Sequence, residues 1–327
     1  MNMRNKARHL KMETAENSNG DDGVIRGRFA PSPSGRMHLG NVMSALLAWL
    51  SAKTQGGEIV MRIEDIDPDR SRREYAMQIM EDFRFLGLDW DDGPYWQSER
   101  TSIYEEILAQ LDRQGLTYPC YCSRAELHAT QAPHASDGVF VYSGHCRDLS
   151  VDRRAELAKT RRAATRIRVP DAAVEYEDGC RGAMRQDLAK ECGDFILRRS
   201  DGAFAYQLAV VADDALMDVT QVVRGSDLIS STPRQIWLHR LLGYEPPQYC
   251  HVPLLLAADG RRLSKRERDM DMGALREKYS AEEIIGKLAW LTGVIEKPEA
   301  VSAQELLSVF AWDKVKKTDI FVPDGLF

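Results

Sequence analysis

Strand-like and helix-like stretches alternate through the first third of this chain, and that alternation most limits what it can fold into. "VIRGRFA" (24–30) alternates toward a strand, and "NVMSALLAWLSA" (41–52) carries apolar residues at the helical positions Met43, Leu46, Leu47 and Leu50. "GGEIVMRIED" (56–65) is a glycine-punctuated strand, and "SRREYAMQIMEDFRFLG" (71–87) is an amphipathic helix stopped by Gly87. Ser102-Ile103-Tyr104-Glu105 has capping-box spacing and predicts a further helix ending near Gly115. Strands separated by helices pair in parallel, because each crossover returns the chain to the same end of the sheet. The expectation is an α/β fold with a parallel sheet wrapped by helices.

Residues 117–200 break the pattern with cysteines, loops, a basic stretch and short strands such as "ATRIRV" (164–169), and predict an insertion into the sheet domain. "FAYQLAVVADDALMDVTQVVRG" (204–225) reads as a return to buried strand, and "STPRQIWLHRLLG" (231–243) as a helix. "QYCHVPLLLAADG" (248–260) is strand-like and runs into a charged loop. Ser280-Ala281-Glu282-Glu283 is a second capping box, with Ile284, Ile285, Leu288 and Leu291 behind it. The expected division is a flexible tail (1–23), a first half of the sheet domain (24–116), the insertion (117–200), a second half (201–270) and a helical region (271–327).

Composition narrows the function classes. The chain has 327 residues, 43% apolar and 29% charged, which suits a sizeable core under a charged surface. A formal net charge of -6 argues against nonspecific coating of nucleic acid. Basic patches remain at "RSRRE" (70–74), "RRAATRIR" (161–168) and "RRLSKRER" (261–268), although a lone charge run is ordinarily a solvated face. No apolar run reaches the roughly 18–20 residues of a membrane span, and the amino-terminal stretch has neither the apolar core nor the cleavage site of a secretory signal. A cytoplasmic protein is expected. Its six cysteines then sit in a reducing compartment, and Cys180, Cys192 and Cys250 read as small buried hydrophobes.

Three segments carry chemistry. "RFAPSPSGRMHLGN" (28–41) leads from strand to helix. Gly35 and Gly40 admit close backbone approach, Pro31 and Pro33 stiffen the path, the helix start offers N–H groups, and His38 can donate to a phosphate oxygen. An ordinary strand-to-helix turn has much the same make-up. In "GRRLSKRE" (260–267), Lys265 stands between Ser264 and Arg266, where a lysine can neutralise charge developing on a leaving pyrophosphate. An exposed charged turn is the alternative. Cys120, Cys122 and Cys146 suit a four-coordinate Zn2+, with His145 or His134 as candidate fourth ligand, against the alternative of three buried free thiols.

Taken together these segments resemble the class I aminoacyl-tRNA synthetases. His38-Leu39-Gly40-Asn41 stands where that class has its HIGH motif, and Arg262-Leu263-Ser264-Lys265-Arg266 where it has KMSKS. With "RIEDIDPDRS" (62–71), the set is similar to the glutamyl branch over roughly residues 24–270. The resemblance implies a Rossmann-like catalytic domain with a zinc-bearing insertion and a short helical C-terminal region. It implies that His38 and Lys265 are catalytic, and that His38, Gly40, Asn41, Ser264 and Lys265 bind ATP with Mg2+. Arg28, Ser32, Glu64, Tyr206 and Arg224 would form the glutamate pocket, and Cys120, Cys122, Tyr142 and Cys146 would hold a structural Zn2+. Asn41 departs from the motif's final histidine, so its contact is unassigned.

Only residues 267–327 follow "RLSKR", too few for the anticodon-reading region of a full glutamyl-tRNA synthetase. With the Cys-x-Cys…Tyr…Cys pattern, this points to the truncated paralogues, the glutamyl-Q tRNA(Asp) synthetases. The expected partners are L-glutamate, ATP and queuosine-bearing tRNA(Asp), handled by a monomer without a membrane. A minimal glutamyl-tRNA synthetase charging tRNA(Glu) and a noncatalytic RNA-binding relic are the alternatives.

Overall fold

The computed structural model describes residues 23–123, 126, 141–257, 259–261 and 270–327. Ser264, Lys265, His134 and most of the amino-terminal tail lie outside them.

Strand β1 (Arg26–Phe29) feeds helix α1 (Leu39–Thr54), β2 (Glu58–Ile63) feeds α2 (Arg73–Phe85), and β3 (Asp92–Trp96) completes a parallel three-stranded sheet ordered β1-β2-β3. Helix α3 (Thr101–Arg113) follows a 3-10 turn over Gln97–Arg100. A second sheet, ordered β7-β6-β10-β9, is built from β6 (Ala173–Asp178), β7 (Gly182–Asp187), β9 (Gln221–Gly225) and β10 (Gln248–Val252). β10 runs parallel to both β6 and β9. The two sheets meet where Thr220 N–H donates to the Arg26 carbonyl at 2.9 Å and Thr220 Oγ1 accepts from Arg26 N–H at 2.8 Å. β1 and β9 therefore lie side by side, and Arg28 and Arg224 point toward one cleft.

The expected insertion is split. β4 (Thr117–Cys120), β5 (Ala164–Ile167) and β8 (Phe195–Arg198) form a separate antiparallel sheet, with α4 (Val151–Ala158) before β5. The β6–β7 hairpin between them joins the second main sheet instead.

Three local expectations are corrected. Residues 204–225 are not one strand: α5 (Tyr206–Leu216) precedes β9, and Asp218 makes the turn at φ 54°. Leu208 to Ala212 are all buried, so this helix has no polar face to give it a 3.6-residue period. Ser102 does not cap α3, which starts at Thr101 as a continuation of the 3-10 turn and has no side-chain cap. The C-terminal region is not wholly helical. After α6 (Thr232–Leu242), β11 (Leu255–Leu256), α7 (Met272–Lys278), α8 (Ala281–Thr292) and α9 (Ala303–Leu306), β12 (Ile320–Phe321) pairs in parallel with β11. The Ser280 capping box on α8 is present as expected.

Candidate active site

An open cleft of about 520 Å³ lies beyond the ends of β1, β2 and β9. Every site residue expected for glutamate or ATP among the described residues lines it: Arg28, Ser32, His38, Gly40, Asn41, Glu64, Tyr206 and Arg224. Ligands in open α/β sheets bind at such strand ends, where two halves of a sheet part.

The loop into α1 is held from within. His38 is the N-cap: its Nδ1 accepts from Gly40 N–H at 3.2 Å, and Asn41 Oδ1 accepts from His38 N–H at 3.2 Å. This reciprocal cap gives Asn41 a place that the motif comparison left open. It also corrects the expected supply of N–H donors for phosphate, because Gly40 N–H is spent on His38 and Asn41 N–H on the His38 carbonyl at 2.9 Å. With Nδ1 accepting, a neutral His38 carries its proton on Nε2, as phosphate donation requires. Gly40 is needed for a nearer reason than ligand approach: a Cβ there would stand 3.1 Å from the His38 ring.

The described residues flanking "RLSKR" lie at this cleft and at the His38 loop. Leu255 lines the cleft just before it, and Ala257 N–H donates to the Arg261 carbonyl at 2.8 Å. Just after it, Asp271 bridges to His38, and Met272 N–H donates to the Met37 carbonyl at 2.9 Å. The segment that follows the second motif is thus tied backbone to backbone to the His38 loop.

Behind the amino-acid side of the cleft lies a buried ionic network that the sequence reading missed. Asp214 Oδ1 lies 3.0 Å from Arg28 Nε and 2.7 Å from Arg62 Nη1, and Arg62 Nη2 reaches Glu64 Oε1 at 3.1 Å. Asp213 accepts from Gln97, Arg100 and Tyr104 at 2.9, 2.7 and 2.8 Å. Both aspartates belong to α5, and their signal was the acid pair in "VVADDAL", polar residues in an otherwise apolar run. Burial raises the Glu64 pKa, against the pull of Arg62 and Arg28. A substrate ammonium would supply the missing compensation.

Arg224, also buried, is held by His251 and Thr232, and its Nη1 lies 3.4 Å from Tyr206 OH. Asp65 and Asp67 stand outside this chemistry. Asp65 accepts from Ser98 N–H and Oγ at 2.9 and 2.7 Å, and Asp67 pairs with Arg199 at 2.9 Å.

The cysteine cluster forms a second site. The Sγ atoms of Cys120, Cys122 and Cys146 lie within 4.8 Å of one another, near the roughly 3.8 Å edge of a tetrahedron with Zn–S bonds of about 2.3 Å. Tyr142 OH approaches Cys120 Sγ at 3.5 Å and Cys122 Sγ at 3.7 Å. Three thiols and a phenol oxygen thus converge as a four-donor set, while His145 is exposed beside it. Arg166 stacks on the Tyr142 ring at 3.8 Å and donates to the Asp194 carbonyl at 2.7 Å. Arg161 and Arg168 pair with Glu126 and Asp148 at the module's surface, so these arginines of the "RRAATRIR" run are already partnered by carboxylates of the same module.

The family model for "tRNA synthetases class I (E and Q), catalytic domain" matches residues 24–326. A protein of Nitratidesulfovibrio vulgaris called "Glutamyl-Q tRNA(Asp) synthetase" is 51% identical over 83% of this chain and 87% of its own length. One of the same name from Symbiobacterium thermophilum is 46% identical over 92% of this chain and 96% of its own. Among solved structures, a glutamate tRNA ligase of Elizabethkingia meningosepticum in complex with its amino acid matches with a TM-score of 0.78 at 28% identity, covering 93% of this chain and 68% of that one. With motif order, cleft and relatives in agreement, the chain belongs to the class I tRNA synthetase catalytic-domain family and, within it, to the glutamyl-Q tRNA(Asp) synthetases.

Proposed function

We propose that this protein activates glutamate with ATP and transfers it to the queuosine base at the wobble position of tRNA(Asp). The observation that carries this reading is one cleft holding a carboxylate whose side chain is only 8% exposed, two guanidinium groups and the His38-capped loop. Glu64 takes the substrate ammonium, and Arg28, Ser32, Tyr206 and Arg224 receive its carboxylates. A glutamate carboxylate oxygen attacks the α-phosphorus of ATP, the bond to the β-phosphate oxygen breaks, and pyrophosphate leaves with its electron pair. His38, Gly40, Asn41, Ser264 and Lys265 form the nucleotide side, with His38 and Lys265 stabilising charge on the leaving group. Mg2+ comes with the ATP phosphates as part of the substrate. A queuosine ring hydroxyl then attacks the adenylate carbonyl carbon, AMP leaves and the hydroxyl proton is released.

Cys120, Cys122, Tyr142 and Cys146 hold a Zn2+ whose closed donor set makes it structural. The protein acts as a monomer in the cytoplasm. No helix among the described residues is long and apolar enough to cross a membrane. The zinc module lies within residues 117–200, whose β6–β7 hairpin belongs to the main sheet instead.

Glutamate-dependent ATP–pyrophosphate exchange without tRNA, followed by transfer only to queuosine-bearing tRNA(Asp), is the expected result. Transfer to tRNA(Glu) would overturn the acceptor, and absence of exchange would overturn the enzyme. Lys265→Ala should lower the exchange rate far more than glutamate affinity, because a leaving-group device acts in the transition state.

A further inference from the structure

His251 sits on β10 directly across the register from Arg224 on β9, and both are buried. His251 Nε2 accepts from Arg224 Nε at 3.0 Å. Its Nδ1 lies 2.5 Å from Asp178 Oδ2, and Asp178 Oδ1 accepts from His251 N–H at 3.1 Å. An imidazole accepting at Nε2 carries its proton on Nδ1, and Asp178 is the acceptor that selects this tautomer. The Tyr249 ring lies parallel to the His251 ring, with centroids 6.1 Å apart.

The remaining partners of Arg224 are uncharged: Thr232 Oγ1 at 2.7 Å, the Leu228 carbonyl at 3.4 Å, Tyr206 OH at 3.4 Å and the Tyr249 ring with its centroid 5.1 Å from the guanidinium carbon. No carboxylate among the described residues forms an ion pair with it. Arg28 differs, since Asp214 answers its charge at 3.0 Å.

We propose that His251, held by Asp178, is a positioning residue that orients Arg224 and leaves its positive charge uncompensated for the substrate carboxylate. The inference rests on the glutamate reading above. Glutamate brings two carboxylates and one ammonium, a net charge of minus one. Glu64 answers the ammonium, which leaves two carboxylates to be met by cations; Asp214 already offsets Arg28, and Arg224 is the buried cleft guanidinium that no carboxylate among the described residues pairs with. A carboxylate in place of His251 would grip the guanidinium more strongly and neutralise it. An imidazole fixes the same geometry without doing so, and keeps the Asp178 charge one ring farther away.

The test compares His251→Gln, an uncharged acceptor, with His251→Glu, a carboxylate beside Arg224. Both are read in the full chain by calorimetric titration with L-glutamate and by exchange kinetics with ATP and glutamate varied separately. Glutamate affinity should stay within about 3-fold for H251Q and fall by roughly 10-fold or more for H251E, with the ATP KM nearly constant in both. Equal losses in the two variants, or losses shared by ATP and glutamate, overturn the role. Because a buried substitution can unfold the chain, nitrogen NMR of the His251 ring in the unaltered protein gives a second measurement. A neutral ring protonated on Nδ1 supports the role, and an Nε2–H or doubly protonated ring overturns it. Glutamate binding without exchange would refute the proposed enzyme while leaving the positioning role intact, so the two failures are distinguishable.

Discussion

Glu64 is buried next to two arginines, yet burial outweighs them and its pKa is raised. Removing its charge should therefore be tolerated by the fold and felt by the substrate. Glu64→Gln is expected to raise the glutamate KM by about 10-fold or more, as loss of a charged hydrogen bond of roughly 1.5–3 kcal/mol would, with little change in the ATP KM. Exchange kinetics check this. His239 is the opposite case: fully buried on α6, with neither ring nitrogen hydrogen-bonded, and lowered to about 4 chiefly by burial. Its folded pKa lies below the ordinary value, so its contribution is complete above about pH 6.5 and is lost as pH falls toward 4, to the extent of roughly 3 kcal/mol. His239→Leu should flatten the acid limb of Tm measured between pH 7 and pH 4.5; an unchanged limb would place the acid sensitivity elsewhere. Residues with a strong local signature were legible at this scale. His38, Glu64 and the Cys120–Cys122 pair announce themselves by neighbours a few positions away. Asp178 and His251 do not, because the contact between them joins positions 178 and 251 and no local pattern marks either.

At the scale of elements, α1 and β2 were readable because each keeps a clear period or turn signal. α5 was not, since an apolar run buried on all sides looks alike as strand or helix. Misreading it hid the Asp213–Asp214 pair, of which Asp214 meets Arg28 and Arg62 while Asp213 faces Arg100 and Tyr104. The split of residues 117–200 was also invisible, since strand partners are chosen by tertiary contact. Helix α8 carries a sharper constraint than its capping box. A Cβ on Gly286 would come within 1.8 Å of the Glu299 carbonyl oxygen. Helix propensity alone favours alanine over glycine by about 1 kcal/mol, whereas forced overpacking costs about 1–3 kcal/mol. Gly286→Ala should therefore lower the denaturation midpoint, and a raised midpoint would show that the segment around Glu299 can retreat.

Across the whole molecule, the thiol cluster and the substrate cleft lie in different sheets. Cys146→Ser should remove zinc from the purified protein, measured by elemental analysis, and lower Tm, while the glutamate KM changes little. A large glutamate effect would mean that the β4–β5–β8 module shapes the cleft. Helix α5 reaches both sides of the amino-acid pocket. Tyr206, at its first residue, approaches Arg224, and Asp214, near its last, holds Arg28. Eight helical steps of 1.5 Å separate them along the axis by about 12 Å. The two guanidinium groups stand on the adjoining strands β1 and β9 and are each touched by this one helix, so regular structure and not a pair of loops fixes their spacing before any substrate arrives. Aspartate, one methylene shorter, meets the same spacing and should support exchange roughly 10-fold or more less well than glutamate.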